Sequence, residues 1–213
     1  MAPDTTPPSG ATRYIQTTRG LLSYSQLAPL LAERILRVER EIASRAFADE
    51  EMAAELILTF HRQIAGNLCP EWAGRWRDAE VRVGDHHPPP PYRVPMLMND
   101  YSEDLGARLA SASGHMDELL LEMLAFAEGR LLSIHPFTDF NGRVTRLFLR
   151  ELLRRLELPP VDLVPTTPAG ETAYRVALRA GDTRNWHPLV SVWQQRFEQL
   201  SEPPPWCGGS RND

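Results

Sequence analysis

The segment IHPFTDFNGRVTRLFLREL, residues 134–152, places a dense group of polar side chains between two apolar stretches with helical periodicity. The stretch before it, over about 116–133, repeats leucine, methionine and alanine along one broad helix face. The stretch after it opens near Asn141 and is stopped by Pro159 and Pro160. Two helices joined by a polar loop are therefore predicted at the centre of the protein.

Periodicity predicts further helices on both sides of this segment. Apolar residues recur at helical spacing over about 24–46, 49–66, 170–180 and 187–199. Ser23 precedes the first of these helices and is a suitable cap. Residues 81–94, VRVGDHHPPPPYRV, alternate like a pair of strands. The predicted fold class is all-α, a helical bundle with one short β-hairpin.

Length and charge describe one globular domain. The chain has 213 residues, and its 23 basic and 28 acidic side chains give a net charge of −5. Such acidity disfavours a protein that coats nucleic acid, because phosphate neutralisation requires a clustered basic surface. Two cysteines fit a reducing compartment, and we see neither a long apolar run nor a secretory signal. We therefore expect a cytoplasmic protein without membrane or nucleic-acid partners.

The two ends differ in composition from the centre. Pro, Thr, Ser and Gly dominate residues 1–12, and residues 202–213 are similar. This composition is typical of flexible tails. We predict an N-terminal tail over 1–20, a working domain over 21–200 and a C-terminal tail over 201–213.

The start of the helix after the polar loop has the features of an anion site. Asn141 and Gly142 open this helix, so the first N–H groups point outward where the helix dipole adds positive potential. Arg143 and Arg146 are three residues apart and share one helix face. Two guanidinium groups there can clamp phosphate oxygens through paired hydrogen bonds.

Two further residues of the loop suggest group transfer. Asp139 is a hard oxygen ligand, placed where a Mg²⁺ that bridges phosphates would need it. His135 titrates nearest neutrality and is the candidate for taking a proton from an attacking hydroxyl. Each group also has a purely structural interpretation: Asp139 as a helix cap, and the arginines as partners of Glu128 or Glu151. As a cluster, they predict transfer of a nucleotide or phosphoryl group.

Residues 135–146, HPFTDFNGRVTR, are similar to the signature of Fic domain proteins, H-P-F-x-D/E-G-N-G-R-x-x-R. All positions fit except Phe140, where the family usually has glycine. Upstream, WAGR at 72–75 resembles a second landmark of the family. The stretch VGDHHPPPP at 83–91 resembles a third, a hairpin called the flap that ends in a proline run and V-P. The resemblance covers about residues 50–200.

This resemblance implies an all-α Fic bundle and protein adenylyltransferase activity. The family usually transfers AMP from ATP, with Mg²⁺, to a Ser, Thr or Tyr hydroxyl of a target protein or of itself, and releases pyrophosphate. Carried over by position, the implied roles are general base for His135, Mg²⁺ ligand for Asp139, phosphate nest for Asn141 and Gly142, and outer-phosphate binding for Arg143 and Arg146.

The flap would bind an extended segment of the target by main-chain pairing. It comprises Arg82, Val83, Gly84, Asp85, His86 and His87. Phe140 is grouped with the nucleotide-binding residues, because its side chain must point away from the phosphates or narrow the nest. Relatives with Lys at the position of Gly142 act as kinases, so Gly142 favours nucleotidyl transfer.

An inhibitory helix motif of the family, S/T-x-x-x-E-G/N, has no full match in this chain. The nearest stretch is TPAGET at 167–172, and Glu39 and Glu41 on the first helix are weaker candidates. A separate small antitoxin is the other possible inhibitor. Two alternative functions stay open: transfer of another nucleotide or of phosphate, and a catalytically silent Fic domain that binds a nucleotide or a partner.

Overall fold

The structure, a computed structural model, describes residues 14–111 and 117–201. These residues form one antiparallel strand pair and seven α-helices, which confirms the predicted fold class. The strands are β1 (Tyr14–Thr17) and β2 (Gly20–Ser23), and the helices are α1 (Tyr24–Ala43), α2 (Ala54–Ala65), α3 (Val94–Ser111), α4 (Glu118–Ile134), α5 (Asn141–Arg155), α6 (Pro168–Asp182) and α7 (His187–Ser201). None of the described helices is long and apolar enough to cross a membrane.

Strand β1 and the first residue of β2 lie where the sequence analysis places a flexible tail. Tyr14 pairs with Ser23 and Thr17 with Gly20, whose φ of 99° suits the tight turn. The turn is anchored to the domain, because the Thr18 N–H donates to the Leu68 carbonyl at 2.8 Å. Residues 14–20 therefore belong to the folded domain; residues 1–13 and 202–213 lie outside the described residues.

Helix α1 begins with the cap that the sequence predicts. The Ser23 side chain accepts from the Gln26 N–H, and the Gln26 side chain accepts from the Ser23 N–H, which forms a capping box. Its buried face, Leu27, Leu31, Val38 and Ile42, packs against α2 and α5.

Helix α4 is the central element of the bundle, since it contacts α3, α5, α6 and α7. Most of its residues are buried, including Leu124, Ala127 and Leu131. Around it lie the largest buried side chains, among them Trp193, Tyr101 and Phe148. The loop that leaves its C-terminus is therefore attached to a helix that packs against four others.

The strand pair predicted over 81–94 is much shorter in the structure. A single bridge joins Val83 and His86 around the turn at Gly84, and no strand is built there. Prolines at 88–91 have no N–H to continue a ladder. From Val94 the chain forms α3, which the sequence analysis does not predict.

Candidate active site

The polar loop, residues 135–140, is bounded by two residues in the left-handed conformation. His135 ends α4 with φ 51°, and Phe140 precedes α5 with φ 63°. Neither residue is glycine, so each position costs about 1–2 kcal/mol. Backbone strain of this kind persists only where surrounding contacts hold the residue in place, and such positions are common at functional sites.

Two side chains hold the loop from inside. The Asn141 side chain accepts from the Phe137 N–H at 2.9 Å and donates to the Phe137 carbonyl at 2.8 Å. The Phe137 ring stacks on His61 at 3.7 Å and is 1% exposed. The backbone N–H of Asn141 can therefore bind phosphate. Its side-chain amide cannot, because it is already bonded to the backbone of Phe137. Phe137 anchors the loop to the core.

One cavity of about 620 Å³ collects most of the predicted site residues. It is lined by Tyr24, Val81, Arg82, Val83, Gly84, His135, Thr138, Asp139, Phe140, Asn141, Gly142, Arg143 and Arg146. The flap turn thus faces the loop and the start of α5 across the same space. Tertiary structure brings together two motifs that are about fifty residues apart in the chain.

The floor of the cavity has the properties of an anion site. In the described part of the chain, the N–H groups of Asn141 and Gly142 have no acceptor. Within the same residues, neither Arg143 nor Arg146 is paired with a carboxylate. Burial lowers the pKa of Arg146 from its ordinary value, although a guanidinium stays protonated. The positive charge of this floor is therefore available to an anionic ligand.

Asp139 lies at the edge of this floor with its carboxylate oriented. Its Oδ1 accepts from the Phe140 N–H at 2.6 Å and from the Tyr24 hydroxyl. The Tyr24 ring in turn lies under the Arg143 guanidinium, 5.7 Å from centroid to Cζ. Tyr24 is a site residue that the sequence analysis misses, since it is 115 residues from its partner.

His135 is fixed through its backbone. Its N–H donates to the Leu131 carbonyl, and its own carbonyl accepts from Arg77 Nε at 2.8 Å. Burial, with the nearby charge of Arg77 as a further cause, lowers the pKa of His135 to about 4; the Leu132 carbonyl and Asp139 oppose this shift. The imidazole is therefore neutral at pH 7 and able to accept a proton.

The flap residues divide into two groups. Arg82, Val83 and Gly84 line the cavity, whereas Asp85, His86 and His87 do not. His86 points the other way, with Nδ1 2.9 Å from Asp182 Oδ2 and Nε2 2.9 Å from the Ser133 carbonyl.

Phe140, the departure from the family pattern, does not block the cavity. Its ring is 2% exposed and lies against Trp72, with 5.4 Å between centroids. The backbone adopts the left-handed conformation that glycine would take without cost. The bulky residue is accommodated by the core.

The structural alternatives for the arginines can be checked directly. Glu128 is paired with Arg196 at 2.7 Å, and Glu151 with Arg154 and Arg155. Of the candidate inhibitory carboxylates, Glu39 pairs with Arg150, Glu41 with Arg37 and Glu171 with Arg175. None of these carboxylates pairs with the arginines of the cavity.

Comparison with known proteins gives the family. Residues 51–153 match the Fic/DOC family, and this chain is a Fic/DOC domain protein. It is similar to the protein adenylyltransferase Fic of Nematostella vectensis, with 36% identity over 114 residues, which are 53% of this chain and 25% of that protein. The matched stretch spans a quarter of that relative's length.

Solved structures confirm the fold. The N-terminal FIC domain of the VirB-translocated effector protein Bep8 from Bartonella sp. 1-1C superposes with a TM-score of 0.72 at 15% identity, covering 89% of this chain and 92% of that one. BepC from Bartonella tribocorum, solved with bound AMPPNP, superposes with a TM-score of 0.66 at 17% identity, covering 89% and 94%.

Proposed function

We propose that this protein is a protein adenylyltransferase that transfers AMP from MgATP to a hydroxyl of a target protein or of itself. The observation that carries the proposal is the single cavity that His135, Asp139, the start of α5 and the flap turn line together. A neutral base, an oxygen ligand, an anion site and an exposed turn are the groups that such a transfer requires.

The donor set of the cavity fits MgATP. Within residues 14–111 and 117–201, the N–H groups of Asn141 and Gly142 have no acceptor and Arg143 and Arg146 form no ion pair, which suits a polyphosphate. The oriented carboxylate of Asp139 suits Mg²⁺. When bound, MgATP would supply an α-phosphorus open to attack and pyrophosphate as the leaving group. The binding of AMPPNP by BepC, a structure of the same fold, supports a nucleotide in this family of sites.

His135 would take the proton of the attacking hydroxyl. Its imidazole is neutral because its pKa is low, and its backbone is held at both N–H and carbonyl. A pKa of about 4 makes it a weak base, so it would act late, as the hydroxyl oxygen bonds to phosphorus and becomes more acidic. Positioning therefore contributes more than basicity.

The target would lie along the flap. Only Arg82, Val83 and Gly84 reach the cavity, so they are the flap residues we assign to target contact. A partner of extended conformation could pair with the main chain of Arg82 and Gly84, because the N–H and carbonyl of Val83 already bond to His86. Its side-chain hydroxyl would then lie between the turn and His135.

Intact-mass spectrometry tests the proposal. The protein and a candidate lysate are incubated with Mg²⁺ and each of the four nucleoside triphosphates. We expect a gain of one AMP that depends on His135, with His135→Ala lowering the rate at least about 100-fold. His187→Ala is the matched control, since His187 is exposed on α7. A gain of phosphate alone, or equal activity of His135→Ala, would contradict the assignment.

A further inference from the structure

A buried arginine outside the signature connects the two sides of the cavity. Arg77 follows the 72–75 turn and is 3% exposed. In the described residues it pairs with no carboxylate, so all its acceptors are main-chain carbonyls. A buried charge without a counter-ion is costly unless every donor is used.

On the loop side, Arg77 binds the end of α4 and the start of the polar loop. Its Nε donates to the His135 carbonyl at 2.8 Å, and Nη2 lies 3.4 Å from the Ile134 carbonyl. Its backbone N–H donates to the Pro136 carbonyl at 2.9 Å. Arg77 thereby binds the carbonyls of three successive residues, Ile134, His135 and Pro136, through its side chain and its own backbone N–H.

On the flap side, the same guanidinium binds both ends of the segment that forms the turn. Nη1 donates to the Ala79 carbonyl at 3.1 Å, before the turn, and Nη2 donates to the Pro89 carbonyl, after it. The planar guanidinium of arginine can donate hydrogen bonds to carbonyls in several directions at once, whereas the lysine ammonium is a single compact charge.

We propose that Arg77 is a positioning residue that sets the distance between the flap and His135. The inference rests on the proposed function, in which the flap holds the target and His135 takes its proton. Arg77 touches neither nucleotide nor target. It acts through the carbonyls of residues on both sides of the cavity, and the anion site on α5 does not depend on it.

Amide hydrogen exchange tests this coupling without any activity. The variants are Arg77→Met, which keeps apolar volume and removes the charge, and Arg77→Lys, which keeps the charge and removes the fork. Arg75→Met is the matched control, because Arg75 is exposed two residues away. We expect faster exchange over 82–86 and 135–138 in both Arg77 variants and unchanged exchange over 144–152.

Two results would overturn the inference. One is unchanged exchange in the flap; the other is equally faster exchange in α4 and α5, which would make Arg77 a general core residue. If neither variant folds, amide exchange of the wild-type protein tests the coupling. The amides of Arg77, Val83 and His86 should then open together with equal protection, and independent opening would contradict the coupling.

Kinetics separate this inference from the proposed function. For both Arg77 variants we expect an ADP affinity close to that of the wild type and a transfer rate about 100-fold lower, as for a misplaced reacting group. Arg75→Met should retain both. Lower ADP affinity in parallel with rate would contradict a positioning role. Absence of transfer in the wild type would refute the proposed function while the exchange result on Arg77 stands.

Discussion

Two groups of charges beside α4 and α5 are built differently. In the first, Glu128 of α4 is 1% exposed and accepts from Arg196 at 2.7 Å and from the Tyr174 hydroxyl at 2.6 Å. Arg196 also donates to the Leu163 carbonyl. At the cavity, Arg143 and Arg146 form no ion pair with a carboxylate of the described residues. The first group is satisfied internally and stabilises the fold, whereas the second is left available for an anion.

Breaking the satisfied group should have the largest effect. Glu128→Gln removes the countercharge of a nearly fully buried arginine, so we expect a loss of about 3–5 kcal/mol in the free energy of unfolding. Urea denaturation measures it. Glu122→Gln is the control, because Glu122 pairs with Arg108 on a partly exposed surface. Equal loss in both variants would contradict the comparison.

Removing a cavity arginine should leave the fold intact and weaken binding. Arg146→Ala is expected to change unfolding by less than about 1 kcal/mol and to lower ADP affinity about 10- to 100-fold, the worth of a charged hydrogen bond. Titration calorimetry measures it. Arg150→Ala, one turn further on α5 and paired with Glu39, is the matched control. Retained ADP affinity in Arg146→Ala would remove that arginine from the anion site.

Acid should destabilise the protein through His61, which is buried, and His135, which is partly buried. Burial lowers the pKa of His61 to about 3 and that of His135 to about 4. Between these values and 6.5 the unfolded chain binds protons that the folded protein does not, so stability falls as pH falls, by up to about 1.4 kcal/mol per pH unit and histidine. Urea denaturation from pH 7.5 to 4.5 measures this. His61→Leu should make the fall of the unfolding free energy with pH shallower. An unchanged slope in this variant would show that His61 does not contribute.

Loss of the Tyr24 hydroxyl should have the smallest effect. Tyr24→Phe removes one hydrogen bond to Asp139, which corresponds to about 1 kcal/mol of unfolding free energy. Because Asp139 is then less well oriented, the enhancement of ADP affinity by Mg²⁺ should also decrease. Tyr92→Phe is the control, since Tyr92 is exposed. Equal Mg²⁺ enhancement in the Tyr24→Phe and Tyr92→Phe variants would exclude Tyr24 from the site.

Elements with strong local signals were predicted well. Helices α1, α4 and α5 have long amphipathic or apolar faces, and the observed starts agree with the Ser23 cap and with Asn141. Helix α3 was missed because it follows a proline run, and its buried face of Val94, Leu97, Met98, Tyr101 and Leu105 is narrow. Strands were misplaced, since alternation shows which residues could pair but not which partner is present.

The residues of the 135–146 motif were also visible in the sequence, because they are contiguous and chemically dense. Their supports were not. Arg77 meets His135 over a separation of 58 residues, and Tyr24 meets Asp139 over 115. Neither residue has a local pattern that distinguishes it from other arginines or tyrosines of the chain.

The sequence by itself therefore determined every α-helix of the described residues except α3, and the chemical character of the 135–146 motif, because both depend on residues within a few turns of one another. Only the tertiary structure decided which arginines are neutralised. Glu128 could pair with any nearby arginine, and the packing of α7 on α4 gives it Arg196. Arg143 and Arg146 keep their charge for the cavity because burial and distance, rather than sequence spacing, determine which ion pairs form.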